Sequence, residues 1–80
     1  MSYKSNDKYI KAFGKHLRAI RQQKGFTCEK LEELSSIDAK QISRLERGER
    51  SPTLTTIYYL AKGLGIKPHK LLEFDYIGEE

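Results

Sequence analysis

The eighty residues include a single cysteine, Cys28, so no internal disulfide can form. With only two histidines, both far from Cys28 in the chain, no metal-ligand spacing appears. No apolar run approaches the length of about 18 residues that a membrane helix needs. The opening stretch MSYKSNDKY lacks an apolar signal core, so the chain is expected to stay in the cytoplasm. A Ser/His/Asp or Cys/His arrangement and a phosphate-binding loop are also missing, which argues against an enzyme. There is no internal repeat, linker or low-complexity segment. No cofactor and no small-molecule ligand is implied.

The residues present describe one small domain. Apolar residues make up 38% and charged residues 32%, a balance that fits a compact helical domain better than disorder. The net charge is +4 and the sequence pI ≈ 9.3, which permits an anionic partner without requiring one.

The informative stretch runs from Ser35 to Pro52. Asp38 is a good helix N-cap, and Gln41 sits three residues later, where a capping box places Glu or Gln. Gly48 is a natural stop. The segment between them predicts a helix from about Ala39 to Arg47. At about 100° per residue, Ile42, Leu45 and Glu46 share one side. Ala39, Lys40, Ser43, Arg44 and Arg47 share the other, which carries three cations and no acid. Such a face suits the phosphates and base edges of a nucleic-acid groove, though a solvated basic face is the simpler alternative. Glu46 falls on the buried side, so it requires a cation from elsewhere.

Residues 1–8 read as a flexible N-terminus, with Ser5, Asn6 or Asp7 able to cap the first helix. Ile10, Phe13, Leu17 and Ile20 then mark that amphipathic helix from Tyr9 to Lys24, ended by Gly25. Arg21, at the margin of its apolar stripe, is the best partner for Glu46. Thr27 caps a short helix from Cys28 to about Ser35, with Leu31 and Leu34 on one side. The tight turn around Ser36 and Ile37 makes this helix and the next a helix-turn-helix. Thr53 caps a fourth helix, Leu54 to Leu64, whose stripe is Leu54, Ile57, Tyr58, Ala61 and Leu64. Tyr58 and Tyr59 are assigned to core and interface, and His16 and His69 to the surface. Pro68 opens a short fifth helix that ends near Glu73. Residues 9–74 form the domain, and 75–80 a short acidic tail.

The run from Gly25 to Leu72 resembles the lambda-repressor-like, or Xre-type, helix-turn-helix family. Its matches are Gly25, Thr27, Leu31, Ile37, Ile42, Ser43, Glu46, Gly48, Pro52, Leu60, Ala61 and Leu64, and ISRLERG followed by Pro52 is the most specific part. The resemblance implies an all-α, compact five-helix domain, with helices 2 and 3 as the helix-turn-helix. It implies double-stranded DNA as partner, commonly bound by a homodimer on a palindromic operator with helix 3 in the major groove. It also implies that Ala39, Lys40 and Arg44 face base edges, while Cys28, Ser43, Arg47 and Arg50 meet the backbone. An Arg late in helix 1 commonly bridges the Glu at the position of Glu46, in agreement with the pair Arg21–Glu46.

Four positions depart from the pattern. Cys28 replaces a phosphate-touching Gln. Glu32 replaces a small Ala at a close helix crossing, and must snorkel or pair with Arg44 or Lys40. Ser36 replaces a turn Gly, at a cost of about 1 kcal/mol if the turn stays left-handed. Leu34 takes a place that is usually polar. Cys28 is either an inert substitution or, at a helix N-terminus that lowers thiol pKa, a redox switch. Arg44 reads a guanine or touches only phosphate. Leu71, Leu72, Phe74 and Tyr76 form a dimer face or close over the core.

These readings predict a DNA-binding transcriptional regulator that acts by occupancy, since the chain ends too soon for an effector domain. The alternative is an antitoxin or other protein-binding module that uses the apolar C-terminal surface.

Overall fold

The structure, a computed structural model, describes residues 6–76. Four α-helices carry the fold: α1 (Asp7–Gln23), α2 (Cys28–Ser35), α3 (Ala39–Glu46) and α4 (Leu54–Leu64). No strand occurs among the described residues.

Each helix start is fixed by a side-chain cap. Asn6, Thr27, Asp38 and Thr53 accept from the backbone N–H of Tyr9, Lys30, Lys40 and Thr56 respectively. Asn6 as the cap makes Asp7 and Lys8 helical, although the sequence had placed them in the flexible N-terminus. Residues 1–5 and residues 77–80 of the acidic tail lie outside the described residues.

The expected fifth α-helix is absent, and the described residues form four. Pro68–Leu72 is instead a single 3-10 segment, with Lys70 N–H donating to the Lys67 carbonyl at 3.0 Å. Five residues are too few for a run of i→i+4 bonds, and with no side-chain cap at Lys67 the segment closes i→i+3 bonds instead. The segment still delivers Leu71 into the core with no exposed surface.

That core is Phe13, Leu17, Leu31, Ile42, Leu45, Ile57, Leu60, Ala61, Leu64 and Leu71, with Ile20, Phe26, Ile37, Ile66 and Phe74 packed around it. The α4 stripe is rotated from the expected one. Thr56, Ile57, Leu60, Ala61 and Leu64 are buried, while Leu54 is 84% and Tyr58 51% exposed. Tyr58 lies about 100° around the helix from Ile57, which carries it past the edge of the buried sector. Tyr58 and Tyr59 meet edge-on in solvent, with ring centroids 5.0 Å apart.

Two close helix crossings shape the fold, and the first of them seats α3 on α1. At Gly14 of α1, an added Cβ would lie 2.6 Å from the Glu46 carbonyl oxygen and would also strike that of Leu45. At Gly63 of α4, it would lie 2.8 Å from the Ser35 Cβ. The α2–α4 crossing therefore falls at buried Ser35, one turn beyond Leu31, and Glu32 points to solvent instead of into it. Ser36 adopts the left-handed conformation, φ 67, and is the one non-glycine residue with positive φ among those described.

Candidate nucleic-acid interface

Ile42 and Leu45 anchor α3 with no exposed surface, and Glu46 is held from α1. Arg21 Nε donates to Glu46 Oε2 at 2.6 Å and Nη2 donates to Oε1 at 2.9 Å. The remaining guanidinium nitrogen, Nη1, donates to the Phe26 carbonyl at 2.8 Å, so the same guanidinium also ties down the α1–α2 turn. The side chains are only 12% and 6% exposed. The hydrogen bonds to Glu46 raise the Arg21 pKa above its ordinary value. A charge-assisted fork of this kind satisfies the carboxylate that α3 would otherwise bury unpaired.

With its inner face fixed, α3 presents Lys40, Arg44 and Arg47 to solvent, and Ala39 and Ser43 partly so. A cleft of about 420 Å³ brings together Lys40, Gln41, Arg44 and Arg50, the last from the loop after α3. A second depression of about 380 Å³ gathers Cys28, Ala39, Lys40 and Ser43 at the α2–α3 junction. Lys40 borders both. All the residues expected to meet base edges or backbone except Arg47 therefore line one or other of these adjoining depressions, where Asp38 and Glu29 also stand. Gln41, read from the sequence only as a capping residue, lines the first of them as well.

Arg47 is less available than the sequence implied. Its Nη1 donates to Ser43 Oγ at 2.7 Å, and Nε and Nη2 donate to the two oxygens of Glu49 at 2.9 and 3.2 Å. The Glu49 bonds raise the Arg47 pKa, and the guanidinium in turn lowers that of Glu49. No motif flags this pair, because it depends on the left-handed turn at Gly48, φ 75, which brings position 49 back toward position 47.

Cys28 sits half-buried at the first position of α2. Its pKa is raised, first by burial and then by the Glu46 carboxylate. Both influences disfavour the thiolate on which the redox-switch reading depends.

Of the four apolar residues considered for a dimer face, Leu71 is in the core and Leu72 is 43% exposed. Phe74 and Tyr76 fold back on α1. Their rings lie 5.4 and 5.1 Å from that of Tyr9, and Tyr76 Oη donates to Asn6 Oδ1. His16 is half-buried beside Phe74, and its Nε2 donates to the Lys70 carbonyl at 2.8 Å. Among the described residues no cluster of His, Cys, Asp or Glu could hold a metal ion, and no helix is long and apolar enough to cross a membrane.

A family model described as helix-turn-helix matches residues 17–71, from the second half of α1 through the 3-10 segment. The chain belongs to the helix-turn-helix family, in its lambda-repressor-like, Xre-type form. Among its relatives, an uncharacterized HTH-type transcriptional regulator, y4dJ of Sinorhizobium fredii, is 39% identical over 78% of this chain and 80% of its own. The control protein C.BamHI of Bacillus amyloliquefaciens is also 39% identical, over 82% of this chain and 83% of its own. Among solved structures, the restriction-modification controller protein C.AhdI from Aeromonas hydrophila superposes with a TM-score of 0.75 at 38% identity. That match covers 82% of this chain and 98% of the controller.

Proposed function

We propose that this protein is a sequence-specific, double-stranded DNA-binding transcriptional regulator that acts by occupying its operator, with α3 in the major groove. The observation that carries the reading is the outward basic face of α3, held rigid because Ile42 and Leu45 are buried and Arg21 pins Glu46 from behind. Ala39, Lys40 and Arg44 face base edges. Ser43, Arg47, Arg50 and the backbone N–H of Cys28 meet phosphates. The relatives named as transcriptional regulators and controller proteins support this assignment. The protein works in the cytoplasm, where its operator is, and binds rather than catalyses.

The bound form is a two-fold homodimer on a palindromic operator. Leu54, Tyr58, Tyr59 and Leu72, the large apolar side chains left exposed along α4 and the 3-10 segment, support a subunit contact there. Phe74 and Tyr76, turned onto α1, leave Leu72 as the C-terminal contributor.

Selection from random duplex DNA, with affinity then measured at two salt concentrations, tests the reading. The expected result is a palindrome with half-sites about 34 Å apart and an affinity that falls steeply with salt. Affinity indifferent to both sequence and salt would refute it.

A further inference from the structure

Glu49 holds Arg47 by the edge through which an arginine can grip a phosphate. The guanidinium presents two edges: one, through Nη1, is spent on Ser43 Oγ, and the other, Nε with Nη2, holds both Glu49 oxygens. That second edge has the fork geometry by which arginine grips either a carboxylate or a phosphate. The backbone of Glu49 is itself fixed, since its N–H donates to the Arg44 carbonyl at 2.9 Å, closing the turn at Gly48. The carboxylate is therefore held against Arg47 by the fold of the α3 terminus. Both side chains are 54% exposed, so a phosphate can reach the pair and replace Glu49 without unfolding anything.

We propose that Glu49 is an internal competitor for DNA phosphate: it holds Arg47 in the free protein, must be displaced on binding, and so limits the sequence-blind part of the affinity. This rests on the reading of the chain as a DNA-binding protein. Displacement leaves the Glu49 carboxylate beside a phosphate of like charge, so Arg47 contributes less than an unpaired arginine would at any sequence. Of the base-edge residues, Arg44 also feels the Glu49 charge, as a weaker coulombic neighbour than Arg47, so the exchange bears first on the phosphate contact. Glu49 accordingly lowers the affinity for every duplex by a similar factor, so that binding leans on the base-edge contacts without a change in the ratio between selected and shuffled duplex.

The test uses the full chain with two probes, the duplex recovered by selection and a shuffled duplex of the same composition. Glu49→Gln is expected to bind both about two- to five-fold tighter at low salt, the range that an exposed ion pair commands. The slope of log affinity against log salt should steepen by about 0.9 per protomer, because one more cation then meets phosphate uncompensated. Both gains should vanish in the Arg47→Gln background. Glu33→Gln, which removes the same charge from α2, measures the general effect of net charge and should yield a smaller gain. If Glu49→Gln binds no tighter than Glu33→Gln, or binds more weakly, or keeps its gain without Arg47, the competitor role is overturned while DNA binding stands. If the wild-type protein binds neither duplex, the DNA-binding reading falls first.

Discussion

Arg21 and Glu46 lie twenty-five positions apart, and the guanidinium of one holds both carboxylate oxygens of the other. The pair is the bolt between α1 and the DNA-facing helix. Removing Arg21 leaves Glu46 nearly buried without a cation and the Phe26 carbonyl without its donor. Arg21→Ala should therefore cost about 3 kcal/mol of stability, read from the midpoint of urea unfolding. Arg21→Lys, which retains the charge but not the fork, should fall between the two. A loss under about 1 kcal/mol for Arg21→Ala, the scale of an exposed pair, would show that the bolt holds nothing.

The approach of α3 to α1 sets a second expectation. Alanine normally favours a helix interior over glycine by about 1 kcal/mol. At Gly14 the new methyl would collide with the Leu45 and Glu46 carbonyls, which are backbone and cannot swing aside. The steric term wins: Gly14→Ala should destabilise by about 1–3 kcal/mol. It should also weaken DNA binding beyond that loss, because the collision displaces α3 itself. Thermal unfolding together with the affinity of the folded variant separates the two effects.

Much of this framework is legible in the sequence, because capping and periodicity are local. Thr27, Asp38 and Thr53 announce their helices, and the placement of Glu46 among apolar residues calls for Arg21. What stays hidden depends on the approach of one backbone to another. Gly14 and Gly63 read only as weak helix formers, and the Arg47–Glu49 contact exists only once Gly48 has turned the chain. Leu54 and Tyr58 fit a helical stripe by spacing, yet the packing of α2 and the 3-10 segment against α4 leaves them outside the buried sector. The fifth helix failed for a plainer reason: five residues that begin with proline are too few to close an α-helical turn with several bonds.

Burial and the Glu46 carboxylate hold the Cys28 thiol above its ordinary range, so the fold favours the neutral form. The stability this contributes is complete below the unfolded thiol pKa and is lost as pH rises through the folded one. Alkylation by iodoacetamide should show a rate profile displaced to higher pH than that of the same thiol in the urea-unfolded chain. Cys28→Ser should lose less stability than wild type between neutral and alkaline pH. A profile displaced to lower pH would reinstate a reactive thiolate.

Arg44 and Arg50 border the same cleft, yet they should behave differently. Arg44 projects from the exposed face of α3 one turn after Lys40, where a side chain in the major groove meets base edges. Arg50 lies in the loop beyond, where the proposed docking puts the DNA backbone. If Arg44 grips a guanine through O6 and N7, Arg44→Ala should remove about 1–3 kcal/mol of discrimination at one base pair in each half-site and little elsewhere. Arg50→Ala should instead weaken every duplex alike and lower the salt slope by about 1. Affinities over all single-base variants of the selected operator distinguish the two patterns. A uniform loss for Arg44→Ala would move that residue to the phosphates and leave Lys40 and Ala39 as the readers of sequence.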